Sequence, residues 1–241
     1  MLTEAVEELV ALKLGPMAAR LRQWVDNPDN REKSHAECVL ALALAQAQDA
    51  ANKRARCFLN RADLPPNIAI ADFRDNAKRG VPPGVLGNLK TCDWIRRGQP
   101  VVITGGSFTG KTFLAAALAR EATLAGLSVV HRRVPDLLVE CAIEKDKGDR
   151  ALSVLLKRLS RPKLLVLDDF AVERATTEQC HLLRRILDAR ARHGLAVLVA
   201  ASNAVDDWGG YFEDETAAAA IFGRLEQTKP IVLKGIVKPK S

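Results

Sequence analysis

The sequence predicts an α/β fold, a parallel five-stranded sheet sandwiched by helices, with a small all-helical N-terminal domain in front of it. Three observations carry this. After Gln99, five short aliphatic runs ("PVVITG", "SVVHRRV", "KLLVLDD", "LAVLVAAS" and "PIVLKG") alternate with helical stretches, and near-continuous apolar character is what a strand shows when both its faces are covered. The first sixty or so residues instead repeat their apolar side chains at helical spacing. Finally, "GGSFTGKT" follows the first strand directly and opens a helix.

Each element has its own signal. Val6, Leu9, Val10, Leu12 and Leu14 form one apolar stripe and "PMAARLRQWV" a second, while Ser34 and Glu37 form a capping box ahead of a long third helix. Residues 1–63 are therefore read as the helical domain. Trp24 and Trp94 are expected to anchor cores. "DLPPNIAIADFRDNAKRGVPPGVLGN" concentrates proline, glycine and turn formers, so 64–98 reads as a linker packed on the domain that follows, 99–241. The helix "KTFLAAALAREATLAGL" stops at Gly126, and little chain remains after the last strand for a further lid.

Composition narrows the class. The 241 residues are 48% apolar and 27% charged, as in a soluble globular protein able to bury its own core. No apolar run approaches the ~18 residues of a membrane span, and the first ten residues carry acids where a signal peptide carries bases. No membrane partner and a cytoplasmic location are expected. Cys38, Cys57, Cys92, Cys141 and Cys180 are odd in number and widely spaced, a pattern of reduced thiols. A net charge of +7 points to an acidic partner, nucleic acid first.

The spacing Gly105-x4-Gly110-Lys111-Thr112, between a strand and a helix, is that of a phosphate-cradling loop. Residues Gly105, Gly106, Ser107, Phe108, Thr109, Gly110, Lys111, Thr112 and Phe113 are the candidate nucleotide site. Backbone N–H groups at a helix N-terminus attract phosphate, Lys111 suits the β- and γ-phosphates, and the Thr112 hydroxyl suits Mg²⁺. Phe108 is unusual there, because a bulky residue forced to positive φ costs about 1–2 kcal/mol. Some sixty residues on, "KLLVLDD" ends a buried strand in two acids. Asp168 is the second candidate for holding Mg²⁺, and Asp169 the candidate for polarising the attacking water.

Taken together, these segments resemble the IstB-like transposition helper ATPases, AAA+ proteins of the DnaC-like clade. "LVALKLGPMAARL", "LPPNIAIADF", "LGNLKTCDWIRRGQPVVITGGSFTGKTFLAAALA", "LLKRLSRPKLLVLDDF" and "DWGGYFEDETAAAAIFGRL" are similar to family segments in the same order. The resemblance implies a P-loop AAA+ ATPase that oligomerises on duplex DNA, with ATP and Mg²⁺ between subunits, and assists a transposase in target selection. It implies that Asn203 takes the sensor position near the γ-phosphate, and that Arg224 is an arginine finger completing the neighbouring subunit's site. It also implies that the stretch "DLLVECAIEKDKGDRALSVLLKRLSRP" touches DNA, which nominates Lys145, Lys147, Arg150, Lys157 and Arg158. Arg132, Arg133, Arg161, Lys234, Lys238 and Lys240 are further cations in reach of such a role.

Phe108 stands where the family usually has glycine, Asp169 where it has glutamate, and Gly223 where an aspartate commonly precedes the finger. The turn from Asn203 to Trp208 is one residue shorter and lacks a proline. These departures bear on the rate of hydrolysis rather than on the fold. The other readings are a DnaC-like helicase loader, a P-loop kinase of small molecules, and a scaffold that binds ATP but barely hydrolyses it.

Overall fold

The computed structural model describes residues 1–62, 64, 68–74, 77–226 and 228–235. The chain divides into two compact units, Met1–Cys57 and Phe58–Ser241. Lys238 and Lys240, two of the sequence-nominated cations, lie outside the described residues. Among the described residues, no helix is long and apolar enough to cross a membrane.

The first unit is helical: α1 (Leu2–Ala11), α2 (Gly15–Asp26) and most of α3 (His35–Arg61). The expected capping box opens α3. The Ser34 N–H donates to Glu37 Oε2 at 2.8 Å, and the Glu37 N–H donates to Ser34 Oγ at 3.3 Å. Trp24 departs from expectation, since it is only half-buried and has the Lys33 ammonium 5.2 Å from its ring centre. A snorkelling lysine over an indole is a surface arrangement.

In the second unit β1 (Val101–Thr104), β2 (Val129–Arg133), β3 (Leu164–Phe170), β4 (Ala196–Ala201) and β5 (Ile231–Val232) form one parallel sheet in the order β2-β3-β4-β1-β5. Alternation along each strand feeds two separate cores. Val101, Ile103, Leu164, Val166, Leu198 and Ala200 meet one, under α6 (Lys111–Leu124), α4 (Val85–Lys90) and α5 (Asp93–Arg96). Val102, Leu165, Leu167, Val197 and Val199 meet the other, under α7 (Val134–Asp146), α8 (Asp149–Ser160), α9 (Thr177–Arg192) and α10 (Glu215–Leu225). This two-sided burial is why the strand sequences read as unbroken apolar runs. The segment read as a linker is part of the first core: Ile70, Phe73, Leu89, Trp94 and Ile95 are all buried there, and Trp94 Nε1 donates to the Leu89 carbonyl at 3.0 Å.

Among the described residues, one charged side chain is wholly buried. Arg190, near the end of α9, donates to the carbonyls of Leu159 (2.7 Å), Pro162 (3.0 Å), Lys163 (3.3 Å) and Ala196 (2.6 Å). It thereby pins the end of α8 and the connection into β3 to the start of β4. Burial pushes its guanidinium down to about 10, which leaves it charged at neutral pH. Replacing it with a shape-matched apolar residue strands several buried carbonyls at once. Arg190→Met is expected to destabilise the chain by about 3–5 kcal/mol, read as a lower urea midpoint.

Candidate active site

Strand β1 delivers the loop that follows it to the C-terminal edge of the sheet, where α6 begins. Gly105 has φ 148° and Gly110 φ 95°. Close approach also demands glycine at Gly105, where a Cβ would stand 2.4 Å from the Leu233 carbonyl oxygen; one on Gly110 would stand 3.2 Å from both Arg79 Nη1 and Phe73 Cε2, a tight contact that adds to its backbone requirement. Phe108 has φ 62°, and its side chain is fully exposed. The condition for strain at this position is therefore met, at a cost of about 1–2 kcal/mol.

Lys111 is buried, and its ammonium donates across the loop to the Gly106 carbonyl at 2.9 Å; Thr109 Oγ1 donates to the same oxygen, also at 2.9 Å. Burial lowers the Lys111 ammonium below the usual lysine range, and the Asp168 and Asp169 carboxylates oppose that shift. Thr112, one residue into α6, donates to Asp168 Oδ1 at 3.3 Å. The loop, the helix start and the first strand acid thus converge as the spacing predicts.

The second acid behaves differently. β3 does not stop at its carboxylates but runs on to Phe170, with an irregularity between Leu167 and Phe170 in its pairing with β4. Asp169 sits in that bulge at φ 52°, and Ala171 follows at φ 53°. Asp168 is 2% exposed and also faces the His131 imidazole, 3.8 Å away. Burial acts to raise its carboxyl, but the polar contacts of His131, Thr112 and the Asp169 N–H outweigh that and hold it below the usual carboxylate range. Asp169 turns instead to Arg133, whose Nε donates to Asp169 Oδ2 at 2.8 Å. The hydrogen bond and the charge of Asp169 raise the Arg133 guanidinium. Arg133, nominated for DNA, is therefore engaged by the candidate catalytic acid, and Arg132 by Glu140 at 3.4 Å.

Asn203, two residues beyond β4, donates from Nδ2 to the Ala171 carbonyl at 3.1 Å, so it braces the turn that follows Asp169. Arg224 lies apart from this group. Its Nε donates to Asp188 Oδ1 at 3.2 Å, and Arg184 reaches the other carboxylate oxygen at 3.5 Å. An aromatic cluster of Phe170, Trp208, Phe212 and Phe222 packs the chain leading to Arg224 against the end of β3.

Of the sequence-nominated cations on the α7–α8 hairpin, Lys145 pairs with Glu178, and Lys147 with Glu144 at 2.7 Å. Arg150, Lys157 and Arg158 make no ion pair among the described residues and are exposed. Arg150 and Arg158 line one shallow cleft with Lys147, while Lys157 lines another with Arg224.

Sequence reasoning missed Phe73 and Arg79. The Arg79 guanidinium donates from Nη1 to the Thr109 carbonyl at 2.8 Å and from Nε to the Arg74 carbonyl at 3.0 Å, and lies 5.0 Å from the centre of the Phe73 ring. Phe73 in turn stacks on Phe113 at 6.2 Å. These residues clamp the phosphate loop from outside it. No spacing rule signals a contact between residues thirty positions apart. Arg79→Ala is expected to weaken ATP binding about tenfold while the chain stays folded, because the charge-assisted bond to the loop carbonyl is removed; titration with a fluorescent ATP analogue measures it.

Comparison with known proteins agrees with this architecture. An insertion sequence ATP-binding protein of Sinorhizobium fredii is 32% identical over 217 residues, covering 90% of this chain and 86% of its own length. An ATP-binding protein in an insertion sequence of Mycobacterium tuberculosis is 27% identical over 228 residues, covering 93% and 89%. The crystal structure of the DnaC helicase loader superposes with a TM-score of 0.51 at 20% identity, covering 62% of this chain and 89% of that one, a likeness of fold in keeping with the P-loop AAA+ architecture. Residues 7–235 match the family model described as IstB-like ATP binding protein, and the chain belongs to that ATP-binding family of insertion sequences.

Proposed function

We propose that the chain is an ATP hydrolase that assembles on duplex DNA and assists the transposase of its own element. The observation that carries the reading is the convergence of Lys111, Thr112 and Asp168 at the strand ends, while Arg224 stands apart on α10. A site that holds Lys111, in a chain whose candidate finger Arg224 pairs with Asp188 away from it, fits completion by a second copy.

Mg²⁺ fits the residues present. Thr112 Oγ1 and Asp168 Oδ1 are hard oxygen donors 3.3 Å apart, and Mg²⁺ takes one or two protein oxygens with phosphate and water for the remainder. Thr112 and Asp168 would hold it, and when bound it neutralises phosphate charge. Lys111 and the loop N–H groups bind and orient the triphosphate, Asp169 accepts the proton of the attacking water, and Asn203 keeps the Asp169 turn in place. In the single chain Arg133 holds Asp169 and Asp188 holds Arg224. Both pairs must open for hydrolysis, which ties turnover to assembly.

For DNA, the ion-pair pattern favours Arg150, Lys157 and Arg158, since Glu178 and Glu144 already occupy Lys145 and Lys147, and Arg150 and Arg158 line one cleft together. Few aromatics accompany these cations, so phosphate contacts rather than base stacking are expected. The helical N-terminal unit is the proposed contact for the transposase or for assembly.

Two measurements test this. ATP turnover and sedimentation with and without duplex DNA should show Lys111→Ala and Arg224→Ala each reduced at least about a hundredfold in rate, with Arg224→Ala retaining ATP binding. A mixture of the two variants should recover part of the activity; a monomer indifferent to DNA would sink the reading. Arg150→Ala with Arg158→Ala should flatten the slope of log affinity against log salt by about 0.9 for each DNA phosphate no longer neutralised, while Lys145→Ala should change it little. Tight binding to a replicative helicase instead of a transposase would favour the loader reading.

A further inference from the structure

A cleft of about 460 Å³ lies where the C-terminal halves of α8 and α9 meet the end of α10. Lys157, Arg185, Arg192 and Arg224 line it with a single carboxylate, Asp188, and Leu156 and Ala189 add apolar surface. That carboxylate is already shared between Arg184 and Arg224. Lys157, Arg185 and Arg192 make no ion pair among the described residues, and all three are exposed. Like charges gathered around an apolar patch repel one another, and the cleft is therefore complementary to an anionic surface that also offers something greasy.

The chain displays one such surface. With a nucleotide bound, the phosphate loop would present negative charge, and at its tip stands Phe108, in the left-handed region at φ 62° with its ring fully exposed. Glycine would take that conformation freely, and an exposed ring gains nothing within its own chain. Strain held at a functional loop is a reason to look for a contact made elsewhere.

We propose that the α8–α9–α10 cleft is the seat for the phosphate loop of a second copy of this chain. The Phe108 ring of the incoming loop rests on Leu156 and Ala189 beneath the Arg185 and Arg192 guanidiniums, which favour the face of an aromatic ring. Lys157 stands beside Arg224, adding its charge opposite the nucleotide phosphates. The proposal rests on the reading that Arg224 acts on a neighbouring copy, and it adds the surface that brings the two together.

The ring and the strain have opposite consequences, which makes Phe108→Gly decisive. The full-length chain is compared with Phe108→Gly, with Arg185→Ala/Arg192→Ala, and with the combination. Two readouts are used: binding of a slowly hydrolysed ATP analogue at a dilution where the chain is monomeric, and the protein concentration at which the analogue and duplex DNA drive assembly in sedimentation velocity. Phe108→Gly is expected to bind the analogue up to about tenfold more tightly yet to need about tenfold more protein to assemble. The arginine pair should show the same assembly defect with unchanged analogue binding, and the combination should be no worse than the weaker of the two. Phe108→Gly assembling as readily as the original chain, or defects that simply add, would overturn the proposal. Arg224→Ala separates the two layers. If it abolishes turnover in assemblies that Phe108→Gly leaves intact, the seat is wrong and the trans-acting reading stands; if it leaves turnover unchanged, that reading itself has failed.

Discussion

Strand β3 must satisfy two demands that a regular strand cannot meet together. It has to stay paired with β2 and β4 in the middle of a sheet, and it has to present two consecutive carboxylates to different partners. Successive side chains of a strand point to opposite faces, so an unbroken β3 would aim Asp169 into the core beneath α7 and α9. The bulge between Leu167 and Phe170, with Asp169 at φ 52°, resolves the conflict. Asp168 keeps its strand position facing Thr112 and His131, Asp169 swings out to Arg133, and Phe170 re-enters the second core against Trp208. The Asn203 amide bonded to Ala171 and the aromatic cluster stabilise that distortion from the far side. The arrangement of the whole site follows from this one irregular strand.

The phosphate loop is governed in a similar way by segments distant in sequence. Leu233, just beyond β5, closes on Gly105 and donates its N–H to the Thr104 carbonyl at 2.7 Å. Arg79 and Phe73 press on Thr109 and Gly110, and Lys234 donates its N–H to the Arg79 carbonyl at 2.8 Å. The first and last parts of the second unit therefore meet at the loop. Its shape on either side of Phe108 is set by tertiary contact as much as by its glycines.

The sheet, its helices and the phosphate loop were legible in the sequence because each has a local signature: strand runs, helical periodicity, a fixed glycine spacing. Thr112 and Asp168 were legible because their chemistry restricts the residue types. What could not be read is what depends on contact between remote segments. The region 64–98 read as a linker packed on the next domain, with Trp94 as an anchor, but its prolines and glycines report only local turns and did not reveal that Phe73 and Ile95 are buried in the core as well. The family resemblance likewise nominated Lys145 beside Arg150 and Arg158, with Arg133 as a further candidate, and only the fold separates cations already engaged by Glu178 and Asp169 from those that are not. Trp24 erred in the same direction, a large apolar ring whose surroundings the sequence does not reveal.

The two parked ion pairs have a consequence for timing. Arg133–Asp169 and Arg224–Asp188 are partly exposed, and pairs of that kind hold by only about 0–1 kcal/mol each. Each therefore holds its side chain without locking it. A latch this weak opens under any contact that offers the same side chains a better partner. Screening by salt weakens both latches further, so rising ionic strength frees Asp169 and Arg224 more often before any better partner is met.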